Sequence, residues 1–540
     1  MSLPTAELTV SVAPTPRTAS SGGLRWRVGG GRLYVALGLL ALVLAGFSLL
    51  IPSTPSYDPW AWLVWGREIV HLNLHLTGGP TWKPLPVVFT TLFAPFGKAA
   101  PDMWLVLARA GALMAVAMVF RVTTRFTRPL AGRPLAPTLL AGVIAAGSLV
   151  VSRGFISDNA YGYSEGLMTA LVLIAFERHL DGARRQAFTV GFVAALDRPE
   201  LWLVWGPYGL YLWWKDPGAR KLVVALFALL PVLWFGPQLW GSGSLFSGVA
   251  RAQHPRSNSP AFAKCPFCTE LLKHAWPGVL LRVKAAAGIA IVVAAFGLWR
   301  ARGSWLHGGL RATVHSGFQT DSQRAGAGLI VAGLAGLGWW VLIGILTQAG
   351  FSGNDRYLVL GAALVAISGG VGWGWAAHAL ARALGRLRTA PALAGAAGAA
   401  GAAGALAAAA VFIALPPWIG ANVVDVPATH RAIVYQAHLR EDASASVRRL
   451  GGPANVLRCG TVMTEGFQVP MLAWTLGVHT LQVQASPLPG APLPPAPNVI
   501  FQTRAQHNAH LLPVVRAWTG VRYRLAADIR AFRVFEHCRS

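Results

Sequence analysis

The chain has 540 residues, of which 54% are hydrophobic and only 12% are charged, and it contains 22 tryptophans. This composition excludes an ordinary soluble domain and is typical of a protein that crosses a membrane many times. The net charge of +26 would suit a nucleic-acid ligand, but no helix-turn-helix, zinc-finger or RRM pattern accompanies the basic residues. They lie in short segments between apolar runs, as cytoplasmic loops do.

Residues 1–31 are rich in Ser, Thr, Pro and Gly, and we expect them to form a disordered cytoplasmic segment. The apolar runs that follow predict roughly eleven transmembrane helices at about 20 residues each. The first run, 33–51, lacks a small-residue cleavage site and is expected to be retained rather than removed as a signal peptide. The others lie at 103–119, 135–151, 163–176, 188–196, 201–213, 222–240, 279–299, 328–346, 357–377 and 392–415.

Basic segments alternate with these runs and predict the topology. They lie at 17–32, 121–133, 178–185, 215–221, 300–324 and 382–388. The positive-inside rule places them, with the N-terminus, in the cytoplasm. The charged "DRPE" at 197–200 interrupts one apolar stretch, and two short helices that meet there at the outer face preserve the alternation, whereas a single kinked span would invert everything downstream. We therefore predict a multi-pass plasma-membrane protein whose transmembrane domain is 32–415 and whose residues 416–540 are extracytoplasmic.

The tail at 416–540 predicts a small α/β domain. Its strand-like stretches at 455–462, 480–484 and 499–503 alternate with polar and Pro-rich loops. All four cysteines, Cys265, Cys268, Cys459 and Cys538, are outside in this topology, where disulfides form by default. A Cys459–Cys538 disulfide would close the tail domain. The "CPFC" pair favours a structural disulfide, with metal binding and redox chemistry as alternatives, although a thioredoxin-like context is absent.

Charged residues outside the basic segments gather where the predicted helices end on the outer side. They are Asp58, Glu68, Lys83, Arg153, Asp158, Glu165, Arg198, Glu200, Arg251, His254, Arg256, Asp355 and Arg356. Carboxylates and cations together at a membrane surface suit the anionic head group of a lipid-linked substrate. For any single residue, a solvated helix end is the alternative.

The first outer loop begins with "SYDPWAWLVWGRE", in which Asp58 precedes a proline. Proline suits the first turn of a helix, so Asp58 has an alternative role as an N-cap. The helix predicted at 60–71 places Trp62, Trp65 and Ile69 on one stripe, as in an amphipathic helix that lies in the membrane interface.

Three further segments carry cations. Lys83 in "TWKPLP" can either snorkel or bind a phosphate. In "DRPE", Arg198 and Glu200 lie between apolar runs, where unpaired charge is costly, so they either pair or belong to a site. Arg356 in "GNDRY" starts a late helix and is a further phosphate candidate.

The order of these features resembles the GT-C superfamily of membrane glycosyltransferases, which includes the protein O-mannosyltransferases, the lipid A aminoarabinose transferase and the mycobacterial arabinosyltransferases. The resemblance covers roughly 33–415 and rests on Asp58 in the first outer loop, the interfacial helices there, "WKPLP", "RPE", "RY" at a late helix and an outer C-terminal domain. It implies a polytopic, all-α membrane bundle of the GT-C type, with interfacial helices in the first outer loop and a small outer α/β domain.

The resemblance also implies inverting transfer of a sugar from a polyprenyl-phosphate donor to a glycan, lipid or protein acceptor of the cell envelope. Asp58 matches the base that removes the acceptor proton, and Lys83, Arg198 and Arg356 are the expected contacts of the donor phosphate. The chain lacks a DxD pair, so we expect no cofactor and leave a divalent metal open. It also has Asp58–Pro59 where the mannosyltransferases often have adjacent acids.

Two other functions are compatible with a polytopic protein. A transporter or lipid flippase would place ionisable groups near the bilayer midplane and show related halves, whereas here the charges lie at one face and no repeat is visible. A non-catalytic membrane scaffold with a receptor-like outer domain would leave Asp58 far from any cavity.

Overall fold

The computed structural model describes residues 30–130, 135–253, 255, 259–301, 320–387, 425–488 and 490–538. The helices of this part are α1 (Gly30–Phe47), α2 (Tyr57–Val70), α3 (Pro84–Phe93), α4 (Ala100–Leu130), α5 (Leu135–Val150), α6 (Phe155–Ala160), α7 (Glu165–Leu180), α8 (Arg184–Ala195), α9 (Trp202–Lys215), α10 (Arg220–Ser242), α11 (Ser247–Ala252), α12 (Leu281–Ala301), α13 (Asp321–Gln348), α14 (Val359–Leu387), α15 (Val426–Arg449), α16 (Pro453–Cys459) and α17 (Val469–Leu476).

The predicted apolar runs fall on helices throughout the described residues. Six helical segments there are long and apolar enough to cross a membrane, and shorter apolar helices accompany them. The protein is therefore a multi-pass membrane protein. The run at 392–415 lies outside the described residues, so the count of eleven spans stays a prediction.

The stretch 188–213 forms two short helices, as predicted. α8 and α9 are joined by a 3-10 turn at Pro199–Leu201, because Pro199 lacks the N–H that a continuous helix would need. At the opposite end of this hairpin, the Arg185 guanidinium donates to both carboxylate oxygens of Asp216 at 2.7 Å. The charged junction and the basic loop thus lie at opposite ends of the bundle.

Helix α14 packs in the centre of the bundle through glycines. A Cβ atom at Gly369 would lie 2.3 Å from the carbonyl oxygen of Val283 on α12, and one at Gly370 would lie 2.5 Å from that of Ala141 on α5. Only glycine permits such close approach on both sides, as in other membrane helix pairs. This packing fixes the position of α14, which directly follows the 3-10 turn Asp355–Leu358 that carries Arg356.

The interfacial role predicted for α2 is wrong in one respect. The helix is present, but it is buried on almost every side rather than lying with one face exposed. Trp62 packs edge-on against Trp104 of α4 at 5.5 Å between ring centroids, and Trp60 packs on the opposite side against Trp474 of α17 at 6.1 Å. The helix is therefore held between the membrane bundle and the C-terminal domain, which covers the face that would otherwise contact water.

The C-terminal domain combines α15–α17 with a five-stranded sheet of order β2-β1-β3-β5-β4. The strands are β1 (Val462–Thr464), β2 (Val483–Ala485), β3 (Val499–Gln502), β4 (Arg524–Ile529) and β5 (Phe532–Glu536). β1 is parallel to β2 and β3, while β5 is antiparallel to β3 and β4.

The strand predictions for this domain are only partly correct. The strand at 499–503 is confirmed, but most of 455–462 is helix α16, which starts at Pro453 and ends before Gly460 with its φ of 132°. Residues Thr480–Gln482 form a 3-10 turn before β2. Both predicted disulfides are present, Cys265–Cys268 in the segment between α11 and α12 and Cys459–Cys538 between α16 and the residues after β5.

Candidate active site

Residues that are distant in sequence meet where the helices end beneath the C-terminal domain. We call this group the outer cluster: Asp58, Lys83, Asp158, Glu165, Asp197, Arg198, Glu200 and Arg356. α2 supplies Asp58 in its first turn, Lys83 directly precedes α3, and Glu165 is the first residue of α7. The α8–α9 junction and the turn before α14 supply the arginines. The cluster therefore exists only in the folded bundle.

Glu165 lies at the centre of the outer cluster. Its Oε1 atom is 3.0 Å from Lys83 Nζ and 3.5 Å from both Arg198 Nη1 and Arg356 Nε. The Glu165 side chain is buried, so water screens these attractions little. The three predicted phosphate-binding cations are thus brought together around one carboxylate.

Asp58 pairs with the third of these cations. Arg356 Nη2 donates to Asp58 Oδ2 at 2.6 Å. The N-cap position of α2 is Ser56, and no side chain makes the capping hydrogen bond, so the capping role for Asp58 is not what the structure has. The Arg356 guanidinium also stacks 3.8 Å from the ring centroid of Tyr163, which fixes its plane.

Arg198 is held on two sides. It forms a two-point pair with Glu200, at 2.7 Å from Nη2 to Oε1 and 3.2 Å from Nε to Oε2, and it stacks at 3.7 Å on the ring of Tyr357. Burial lowers the Arg198 pKa, but the Glu200 carboxylate more than compensates and the pKa is raised. Arg198 therefore stays charged although it is buried. Of the two alternatives for "DRPE", the Arg198–Glu200 pair is present, and the role of these residues in a site stays a prediction.

Sequence reasoning missed three members of this site. Asp197 is fully buried, with Oδ2 3.9 Å from Lys83 Nζ, and burial raises its pKa. Tyr163 and Tyr357 supply the faces on which the arginines stack. Asp197 directly precedes "RPE" in the same charged interruption, a signal that could have included it. Tyr357 follows Arg356 in the "RY" pair, a signal that could have included it as well, whereas nothing in the local sequence marks Tyr163.

Other candidates lie away from the outer cluster or outside the described residues. Glu68 faces the C-terminal domain, where its carboxylate lies 2.8 Å from His479 Nδ1 and accepts from the His75 backbone N–H at 2.9 Å. Arg153 pairs with Asp355 at 3.1 Å beside the outer cluster, and His274 Nδ1 lies 2.6 Å from the other Asp355 oxygen. His254 and Arg256 lie outside the described residues.

A cavity of about 1090 Å³ lies between the bundle and the C-terminal domain, beside their direct contacts. Ser56, Tyr57 and Tyr163, which flank the Asp58–Arg356 pair, line its floor. Asp158 also lines it, and burial raises the Asp158 pKa to about 7. The outer cluster therefore borders a space large enough for a substrate.

The described residues contain no group of three or more His, Cys, Asp or Glu side chains arranged to hold a metal ion. The expectation of no cofactor, with a divalent metal left open, stays a prediction.

No protein-family profile matches the sequence, and no curated protein matches it. Among solved structures, the chain is similar to ArnT from Cupriavidus metallidurans bound to undecaprenyl phosphate, with 12% identity, a TM-score of 0.45, and coverage of 94% of this chain and 98% of that chain. The apo structure of the same ArnT gives 13% identity, a TM-score of 0.46, and coverage of 94% and 97%.

Proposed function

We propose that the protein is an inverting glycosyltransferase that moves a sugar from a polyprenyl-phosphate donor to an acceptor hydroxyl at the outer surface of the plasma membrane. The observation that carries the proposal is the outer cluster itself. Asp58 pairs with Arg356, and Arg356 gathers with Lys83 and Arg198 around Glu165, where the helices end and next to a large cavity. A lipid chain between the helices would bring its phosphate to this level.

The cations suit the departing lipid phosphate. Lys83, Arg198 and Arg356 are already held in place by Glu165 and by aromatic faces, so little reorganisation is needed when negative charge develops on the phosphate. Burial strengthens each attraction. Because the arginines present planar forks, two of the three contacts favour a phosphate over a single-point anion.

Asp58 is placed to act as the general base. In a single displacement, the acceptor hydroxyl forms a bond to the anomeric carbon and transfers its proton to Asp58. The bond from that carbon to the phosphate oxygen breaks, and the lipid phosphate leaves with the electron pair, so the configuration inverts. Arg356 contacts Asp58 directly and lies among the phosphate-binding cations, so it connects the two halves of the reaction.

The alternatives are less well supported. A transporter would be expected to carry its charges near the bilayer midplane, whereas the outer cluster lies at helix ends. A scaffold would leave Asp58 remote from any cavity, yet the residues on its N-terminal side, Ser56 and Tyr57, line one.

Purified protein incubated with a panel of polyprenyl-phosphate sugars tests the proposal. We expect lipid phosphate to be released from one donor by the wild-type protein and not by Asp58→Asn. Release that is equal in the two proteins, or absent for every hexose and pentose donor, would contradict it.

A further inference from the structure

The cavity above the outer cluster has walls from two parts of the chain. The bundle supplies Tyr57, Tyr161 and Tyr163 on one side, and α15 supplies His430, Tyr435 and Gln436 on the other. Tyr435 and Gln436 donate to the carbonyls of Arg504 and Ala505, at 3.2 and 2.7 Å. These bonds hold the segment 505–508 at the cavity wall, so the wall is built rather than incidental.

Aromatic faces are the first chemical property of this space. Tyr57 of α2 and Phe467 of the C-terminal domain meet edge to face across the boundary, with ring centroids 6.2 Å apart. The negative face of an aromatic ring attracts C–H groups that carry partial positive charge. The C–H face of a sugar ring is such a partner.

Groups that both donate and accept hydrogen bonds are the second property. Gln468, Gln506, Asn508 and His507 line the cavity with amides and an imidazole. Each offers a donor and an acceptor within one side chain, which matches neighbouring hydroxyl groups of a sugar. At about 1090 Å³, the cavity lies near the upper limit for small-molecule sites of roughly 300–1,000 Å³, so more than one sugar unit fits.

The charges and the backbone disfavour two other acceptors. Both arginines that line the cavity, Arg431 and Arg530, are exposed, so water and salt screen their attraction for a phosphorylated head group. Arg530 is also bound by Asp442 at 2.9 Å and by Glu441 at 3.0 Å. A peptide that added to a sheet would need an edge strand. Neither edge strand of the C-terminal domain, β2 or β4, lines the cavity.

We propose that this cavity is an acceptor site for a neutral oligosaccharide, the end of a glycan chain. The transfer step rests on the proposed function, since an acceptor hydroxyl must lose its proton to Asp58, but binding of the glycan does not. The two can therefore be measured separately.

The experiment uses full-length protein in lipid nanodiscs without any donor. Short linear neutral oligosaccharides of hexose or pentose units, each carrying a photoreactive diazirine, are cross-linked and the modified peptides are identified by mass spectrometry. Phosphorylated saccharides and Ser/Thr peptides with the same label serve as competing ligands. We expect the neutral oligosaccharides to modify peptides that contain 428–438, 467–468 or 505–508.

Affinity is measured in parallel for Phe467→Ala and for a matched control, Phe262→Ala. Phe262 is an exposed phenylalanine of the outer loop, and it does not line the cavity. Phe467→Ala should weaken oligosaccharide binding about tenfold, the equivalent of one aromatic contact, while Phe262→Ala should not change it. Circular dichroism and thermal unfolding confirm that both variants fold, and the cross-linking map does not depend on either of them.

Cross-links outside the cavity, binding of the phosphorylated saccharides or peptides alone, or equal losses in the two variants would overturn the assignment. Oligosaccharide binding in the cavity without lipid-phosphate release from any donor would support the site and refute the proposed function. Release from a donor without binding of any neutral oligosaccharide would do the reverse.

Discussion

At the scale of single residues, the pair formed by Asp58 and Arg356 separates two roles that a mutation can distinguish. The Asp58→Asn change keeps an oxygen that accepts from Arg356 but removes the group that takes the acceptor proton. We expect kcat to fall about a hundredfold to ten-thousandfold, as for loss of a general base, while donor affinity stays near normal. Steady-state kinetics with titrated donor measures both, and near-normal kcat would show that Asp58 is not the base.

The cations should behave differently because they contact phosphate before and during the reaction. Arg356→Ala removes charged hydrogen bonds worth about 1.5–3 kcal/mol each, so donor affinity should fall roughly tenfold to a hundredfold. Arg356→Lys is the matched control: it keeps the charge but loses the planar fork, and it should restore only part of the affinity. Donor affinity unchanged in Arg356→Ala would remove this arginine from the phosphate site.

At the scale of elements, α2 connects the bundle to the C-terminal domain. The Arg67 guanidinium donates to the carbonyls of Trp474 and Val478 at 3.2 and 2.7 Å, at the C-terminal end of α17, where helix carbonyls lack partners. The Glu68 carboxylate lies 2.8 Å from Nδ1 of His479, the residue directly after Val478. The element that carries Asp58 therefore also anchors the domain above it.

This predicts that Arg67→Ala loosens the domain without unfolding the bundle. Losing these bonds should cost about 1.5–3 kcal/mol each, and hydrogen exchange should increase in α17 and β2. Arg448→Ala, at an exposed position near the end of α15, is the control and should leave exchange unchanged. Equal exchange in Arg67→Ala and wild type would show that the aromatic contacts of α2 suffice for docking.

The elements also show what the sequence could and could not predict. The apolar helices follow from hydrophobic length alone, and the α8–α9 turn follows from charge and proline at 197–200. The buried environment of α2 could not be predicted, because its cover comes from Trp474, more than four hundred positions later. In the site, the predicted topology places Asp58, Lys83, Arg198 and Arg356 at the same end of the helices. Their convergence on Glu165 depends on the packing of several helices, which no local pattern encodes.

At the scale of the whole molecule, the two ends of the bundle differ in the way the topology prediction requires. Tyr34 and Arg121 meet around Glu177 at the end that carries the predicted cytoplasmic segments. The outer cluster and the C-terminal domain lie at the other end. The N-terminus should therefore be inside and the C-terminus outside.

A pair of reporters fused after Ser540 checks this orientation. A phosphatase that is active only outside the cytoplasm should be active, and a fluorescent protein that folds only inside should be dark. The same reporters fused after residue 215, in a predicted cytoplasmic loop, should give the opposite result. A bright fluorescent fusion at Ser540 would reverse the topology.

The outer cluster contains many carboxyl groups for its size. In a chain of net charge +26, this buried group holds more carboxyl groups than cations, and burial raises the pKa of Asp197 and, to about 7, that of Asp158. The phosphate of an arriving donor adds negative charge and raises these two pKa values further. Donor binding should therefore be accompanied by proton uptake. The affinity for the donor should then fall as the pH rises through about 7. Calorimetric titrations in buffers of different ionisation enthalpy count the protons, and a count of zero near neutral pH would contradict the linkage. With uptake confirmed, the acidity of the space outside the membrane would set how much of the protein is loaded with donor.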